Sequence, residues 1–136
     1  MLHNPGSVFY VRQQQPAGLG HAVWCARHLV GSEPVAVLLA DDLILGASCV
    51  KEMVDAYKGG NMVAVMDVPH EQTGSYGIVT PGADDGRIVQ VEGLVEKPDP
   101  SSAPSNIAVV GRYIITPDVF ETVSYTHLRA HETKAN

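Results

Sequence analysis

The sequence has 136 residues, 45% hydrophobic and 18% charged, which suits one domain with a real core and excludes a disordered chain. Nine basic against fifteen acidic side chains leave a formal charge of −6, without the basic face that nucleic-acid binding by counterion release needs. The longest apolar run, VAVLLA at 35–40, has a strand's length rather than a membrane span's, and MLHNPGS does not read as a secretory leader, so a cytoplasmic protein with no membrane partner is expected.

In chain order, SVFYVRQ (7–13) is a β-branched and aromatic run between Pro5-Gly6 and Pro16, and predicts a short strand. Leu19, Val23, Ala26 and Val30 then fall on one face of a helix that runs from Gly18 to Gly31. VAVLLA lacks alternation, as a parallel strand covered on both faces does. Ser48 caps a second helix with Val50, Met53, Val54 and Tyr57 inward, ended by Gly59-Gly60, and NMVAVMDV (61–68) is another buried strand. Strand and helix alternating over about 60 residues predict a doubly wound α/β sheet. YGIVT, RIVQVEGLVEK and IAVVGRYIIT follow as shorter strands, a mixed-sheet extension joined by the turn-rich links PGADDG and PDPSSAPSN. TPDVFET opens a last helix with Pro117 in its first turn.

The final stretch, VSYTHLRAHETKAN, breaks that helix's rhythm and closely resembles the translation of a sequencing-library adapter. The expected division is therefore a domain over 7–122 and a non-native tail over 123–136. HLRAH in that tail has the i, i+4 spacing of helical zinc ligands but lacks a third ligand. His21, His28 and His70 read as surface or helix-face residues, and Cys25 as a reduced packing residue.

The glycines of VRQQQPAGLGHAVW (11–24) pose a choice. A Walker-type phosphate loop needs GxxxxGK[ST], which fails because GLG is followed by His21 and Ala22; a GxGxxG fingerprint fails because Val23 stands at the third glycine. Gln13 gives the glycines another meaning. Its amide carries an acceptor and two donors that complement the N3–H and a ring carbonyl of uracil, and Gly18 admits a flat base against the main chain. The plainer alternative is a surface glutamine beside a helix-packing turn.

Asp41 and Asp42 follow VAVLLA at the carboxyl end of a strand, where ligands of such sheets bind. One carboxylate there suits Mg²⁺, which fills its shell with phosphate oxygens and water; strand alternation favours Asp41 over Asp42. A helix cap or solvated turn acid is the alternative. In VEKPD (95–99), Glu96 can accept from sugar hydroxyls and Lys97 can pair with a phosphate, but alternation sends them to opposite faces unless the strand bends there. Otherwise the two are an exposed charge pair. Gly77, in SYG, either admits a sugar ring near the backbone or merely opens a strand.

The order VRQQQPAGLGHAV, EPVAVLLADDLIL, SYGIV, VEKP, APSNIAVVGRYIIT resembles the bacterial UTP–glucose-1-phosphate uridylyltransferases from about Val8 to Thr122. The resemblance implies a partial Rossmann-like nucleotidyltransferase fold with a mixed sheet over the sugar. It also implies Mg²⁺ as cofactor, UTP and glucose-1-phosphate as partners, and transfer giving UDP-glucose and pyrophosphate. By that resemblance Gln13 and Gly18 contact uracil, Asp41 binds Mg²⁺, Gly77 meets the glucosyl group, Glu96 and Lys97 hold the sugar and its phosphate, and Asn106 is a further sugar contact. Asp41 and Lys97 would be the catalytic pair. The family's GxGxR triphosphate loop is not found in this sequence, so an internal fragment inactive by itself is expected. A non-catalytic fragment that binds uridine or sugar weakly, and a thymidylyltransferase or other sugar nucleotidyltransferase, are the competing expectations. A fragment that only self-associates is a further competing expectation, and a homo-oligomer is expected of the full-length parent.

Overall fold

The structure, a computed structural model, describes residues 7–123. The described residues divide into two compact units, 7–35 with 115–123, and 36–114. The expected non-native tail beyond Val123, with the HLRAH histidines, lies outside the described residues.

In the first unit, helices α1 (Leu19–Cys25) and α2 (Arg27–Val30) replace the single predicted helix. The break is at Ala26, whose ψ of −2 departs from helical geometry. Gly18 enters α1 with a φ of 91, and Gly31 leaves α2 with a φ of 65, conformations that glycine adopts without a Cβ penalty. The strand predicted over 7–13 is not formed. Phe9 and Tyr10 are 67% and 95% exposed, and no strand pairs with that segment among the described residues. The helix begun by TPDVFET is present over 118–123, with Phe120 buried.

The second unit is built on a five-stranded sheet with β1 (Val35–Leu38), β2 (Met62–Asp67), β3 (Gly77–Asp84), β4 (Val89–Glu96) and β5 (Ile107–Ile115). The path runs β1-β5-β3-β4, and β2 also pairs with β5. This is the expected α/β class, with a correction in detail: every described register is antiparallel. β1 and β2, expected to be covered on both faces, alternate or are partly exposed. Full burial falls instead on β3, where Ile78 and Val79 are both 0% exposed. Adjacent residues point to opposite faces, so β3 is covered on both sides there.

Ile78, Val68 and Ala108 form the core, with Tyr76 packed against it. Helix α3 (Cys49–Ala56) starts where Ser48 Oγ accepts from Lys51 N at 3.3 Å, as the sequence predicted, and buries Met53. The β3–β4 hairpin pairs Gly77 with Glu96 and keeps register to Thr80 and Gly93. It shifts between Thr80 and Pro81 and again between Pro81 and Asp84. Its tip is closed by carboxylates. Asp84 Oδ1 accepts from Gly86 N at 2.7 Å, and Asp85 Oδ1 accepts from Ile88 N at 2.7 Å and Arg87 N at 3.0 Å.

Candidate functional site

Gln13 and Gly18, linked in the sequence by base chemistry, are in contact. Gln13 Nε2 donates to Gly18 O at 3.0 Å and lies 3.0 Å from His21 Nδ1. Gln13 is half-buried, not a free surface amide, and its Oε1 carries no hydrogen bond among the described residues. Both of its donors are spent internally, so the amide has only its acceptor to offer a base. His21, read from the sequence as a lone helix-face residue, is half-buried and stacks on Trp24 with ring centroids 5.7 Å apart. The Arg27 guanidinium lies 3.4 Å from the centre of the Trp24 ring. The Trp24 indole N–H is buried with no hydrogen-bond partner among the described residues.

In residues 36–114, the Glu96–Lys97 pair turns on the bend that the sequence required. Lys97 has a φ of 45, the one left-handed non-glycine residue among those described. Its N–H still donates to Tyr76 O at 2.9 Å, and buried Pro98 follows. Holding a lysine in this region costs about 1–2 kcal/mol. The bend breaks strand alternation, so Lys97 Nζ comes to 3.9 Å from Glu96 Oε1 on a shared side. Both are solvent-exposed, so their mutual attraction adds little stability, and both heads remain available to a ligand. Gly77 lies opposite. A Cβ there would sit 3.3 Å from Glu96 Oε2 and 3.1 Å from Leu94 Cδ2, so the glycine leaves room for the carboxylate.

At the end of β1 the two aspartates divide their work. Asp42 Oδ2 accepts from Gly111 N at 2.9 Å. Arg112, buried, donates through Nη1 to Leu39 O at 2.9 Å and Gly111 O at 2.8 Å, and through Nη2 to Asp42 O. These bonds pin the turn to β5 by main-chain atoms. Asp41 is exposed, with no bond to its carboxylate among the described residues. A lone carboxylate on a fixed turn matches a hard cation that takes its other ligands from water and phosphate. No group of three or more potential metal ligands occurs among the described residues.

Tyr113 was not singled out in the sequence. Burial pushes its phenol pKa up, and the Asp42, Glu96 and Asp41 carboxylates add to the shift. Its side chain therefore lies within electrostatic reach of both the β1 turn and the end of β4. Arg112 was missed as well, because its partners stand about 70 positions away. Asn106 is placed apart from Glu96 and Lys97 in its bonding: Oδ1 lies 3.0 Å from His70 Nδ1, and its main-chain O accepts from Val68 N at 3.0 Å.

Comparison with known proteins gives a consistent result. A UTP–glucose-1-phosphate uridylyltransferase from Komagataeibacter xylinus is 51% identical over 120 residues, 86% of this chain and 42% of that protein. The chain thus spans about two fifths of that relative's length. The crystal structure of an apo UDP-glucose pyrophosphorylase superposes with a TM-score of 0.80 at 42% identity, over 86% of this chain and 45% of the other. A UDP-glucose pyrophosphorylase complexed with UDP-glucose gives a TM-score of 0.78 at 41% identity, over 85% and 46%. Residues 4–136 match the family described as Nucleotidyl transferase, and the chain belongs to that family.

Proposed function

We propose that the chain carries the base- and sugar-binding groups of a UTP–glucose-1-phosphate uridylyltransferase, which joins UTP and glucose-1-phosphate to give UDP-glucose and pyrophosphate. The observation that carries this reading is the left-handed Lys97, which sets an ammonium beside the Glu96 carboxylate across from Gly77. A strained backbone that unites an acid and a base beside a glycine, which leaves room for the carboxylate, suits a sugar phosphate: carboxylate to hydroxyls, ammonium to phosphate. The names of the relatives supply the nucleotide and the sugar.

In this reading a phosphate oxygen of the sugar attacks the α-phosphorus of UTP and pyrophosphate leaves. Lys97 holds the attacking phosphate, Gln13 and Gly18 hold the uracil, and Glu96 and Gly77 orient the glucose. Asp41 would hold Mg²⁺, which offsets charge on the triphosphate when bound. Positioning and charge neutralisation carry the catalysis, with no covalent enzyme intermediate. The 136 residues alone are proposed to bind ligand without turnover, because they contain no GxGxR loop for the triphosphate.

The test exchanges residues 7–122 for the matching segment of a full-length uridylyltransferase and measures UDP-glucose formation. Turnover with UTP, lost on Lys97→Ala or Asp41→Asn, is the expected result. A folded chimera that uses dTTP as readily as UTP, or that survives both substitutions, overturns the assignment.

A further inference from the structure

Two contacts fix which way the Gln13 amide faces. Gly18 O can only accept, so the amide nitrogen must face it. An amide nitrogen can only donate, so His21 Nδ1, 3.0 Å away, must be an acceptor. His21 is then the neutral tautomer protonated on Nε2, the nitrogen that lies 3.9 Å from Cys25 Sγ. Stacking on Trp24, itself under Arg27, holds the imidazole plane. A glutamine free to rotate presents either its oxygen or its nitrogen to a base. Here the flip would set Oε1 against Gly18 O, and His21 would have to move its proton from Nε2, beside Cys25 Sγ, to Nδ1 to meet it.

We propose that His21 is a positioning residue that makes Gln13 a one-way acceptor, so that the base site takes a pyrimidine with a ring N–H at position 3 and rejects cytosine. Uracil and thymine donate N3–H to Oε1, whereas cytosine presents a lone pair there. This rests on the reading of Gln13 as a base contact. It adds to that reading a residue that never touches the base, and it names the base class excluded.

Two measurements on the 136-residue chain test it. Long-range proton–nitrogen correlation on ¹⁵N-histidine protein should show His21 protonated on Nε2 and bare on Nδ1; the opposite tautomer overturns the proposal whatever the chain binds. Competition between UTP and CTP is then compared across variants. His21→Phe keeps a flat ring against Trp24 but has no acceptor, and the preference for UTP should fall roughly tenfold. His21→Asn returns an acceptor near the place of Nδ1 and should restore the preference, an outcome that a purely structural role would not give. It also carries the test should His21→Phe fail to fold. Preference kept in His21→Phe but lost in Gln13→Ala overturns the positioning role alone. Preference kept in Gln13→Ala removes the base contact and the proposal with it.

Discussion

Gly111→Ala offers the sharpest test of how the Asp41 turn is held. Gly111 is buried in β5, and a Cβ there would overlap Asp42 Oδ2 and come within 2.8 Å of Leu39 Cβ. The Leu39 atom is close to the backbone and cannot swing away, so β1 must move off β5. Overpacking of this kind costs about 1–3 kcal/mol. Displacing the Asp42 carboxylate from Gly111 N–H forfeits a charge-assisted bond worth about 1.5–3 kcal/mol. Glycine to alanine returns only about 0.4–1 kcal/mol through the unfolded chain. The steric and hydrogen-bond losses win, by roughly 3 kcal/mol. With a urea m-value of about 2 kcal/mol/M, the unfolding midpoint followed by far-ultraviolet circular dichroism should fall by about 1.5 M. In an Asp42→Ala background the carboxylate part, about 1.5–3 kcal/mol, is already gone, so the same substitution should cost less by about that amount. A Gly111→Ala chain within about 0.5 kcal/mol of the parent, or an equal cost in both backgrounds, refutes the clamp.

Lys97→Asn keeps a residue that tolerates the left-handed region while deleting the ammonium. Stability should hold or rise by up to about 1 kcal/mol while glucose-1-phosphate binding by calorimetry is lost; a stability loss would show that Lys97 serves the fold. Tyr113 should titrate in alkaline ultraviolet difference spectra above the ordinary phenol range, and lower when Asp42, Glu96 or Asp41 is made an amide. Its raised folded pKa places the linked stability below the unfolded phenol pKa and removes it as pH rises through the folded one. For Asp85 the sign reverses. The N–H groups of Ile88 and then Arg87 hold its carboxyl below the ordinary range, so protection of the Ile88 amide should persist above the unfolded carboxylate pKa. That protection should disappear as pH falls through the lowered one, and Asp85→Ala should abolish it at every pH.

Local chemistry in the sequence was enough to find Ser48 as a cap, Gly18 and Gly31 at the two ends of the first helical stretch, and the three late strands. It misjudged the end of α3, which stops at Ala56 short of Gly59-Gly60: Tyr57, expected on the inner face, is already extended, and Val54, also expected inward, is exposed. It also joined Gln13 to Gly18, and it set the condition under which Glu96 and Lys97 meet. Lys97 fulfils that condition with a φ of 45. What failed was what depends on a distant partner. SVFYVRQ has strand composition, but a strand exists through pairing, and Phe9 and Tyr10 lie exposed without it. The antiparallel pairing of β2 with β5 joins segments about 45 residues apart, which periodicity cannot encode. Arg112 and Tyr113 were hidden for the same reason: within RYIIT they look like ordinary strand residues. Gly111 shows the cost of that blindness, since its need for no side chain is set by Asp42 across the sheet.

The two register shifts at Pro81 separate the β3–β4 hairpin into a site-bearing base and a tip. From Gly77 to Thr80 the pairing is regular, and a slip of one residue there would turn Glu96 to the other face. Beyond Pro81 the ladder is already irregular, so extra residues inserted between Asp84 and Ile88 meet no regular register to carry their displacement to Gly77. The tip is thus a place where the chain can be lengthened, labelled or tethered to a surface while the sugar end keeps its alignment.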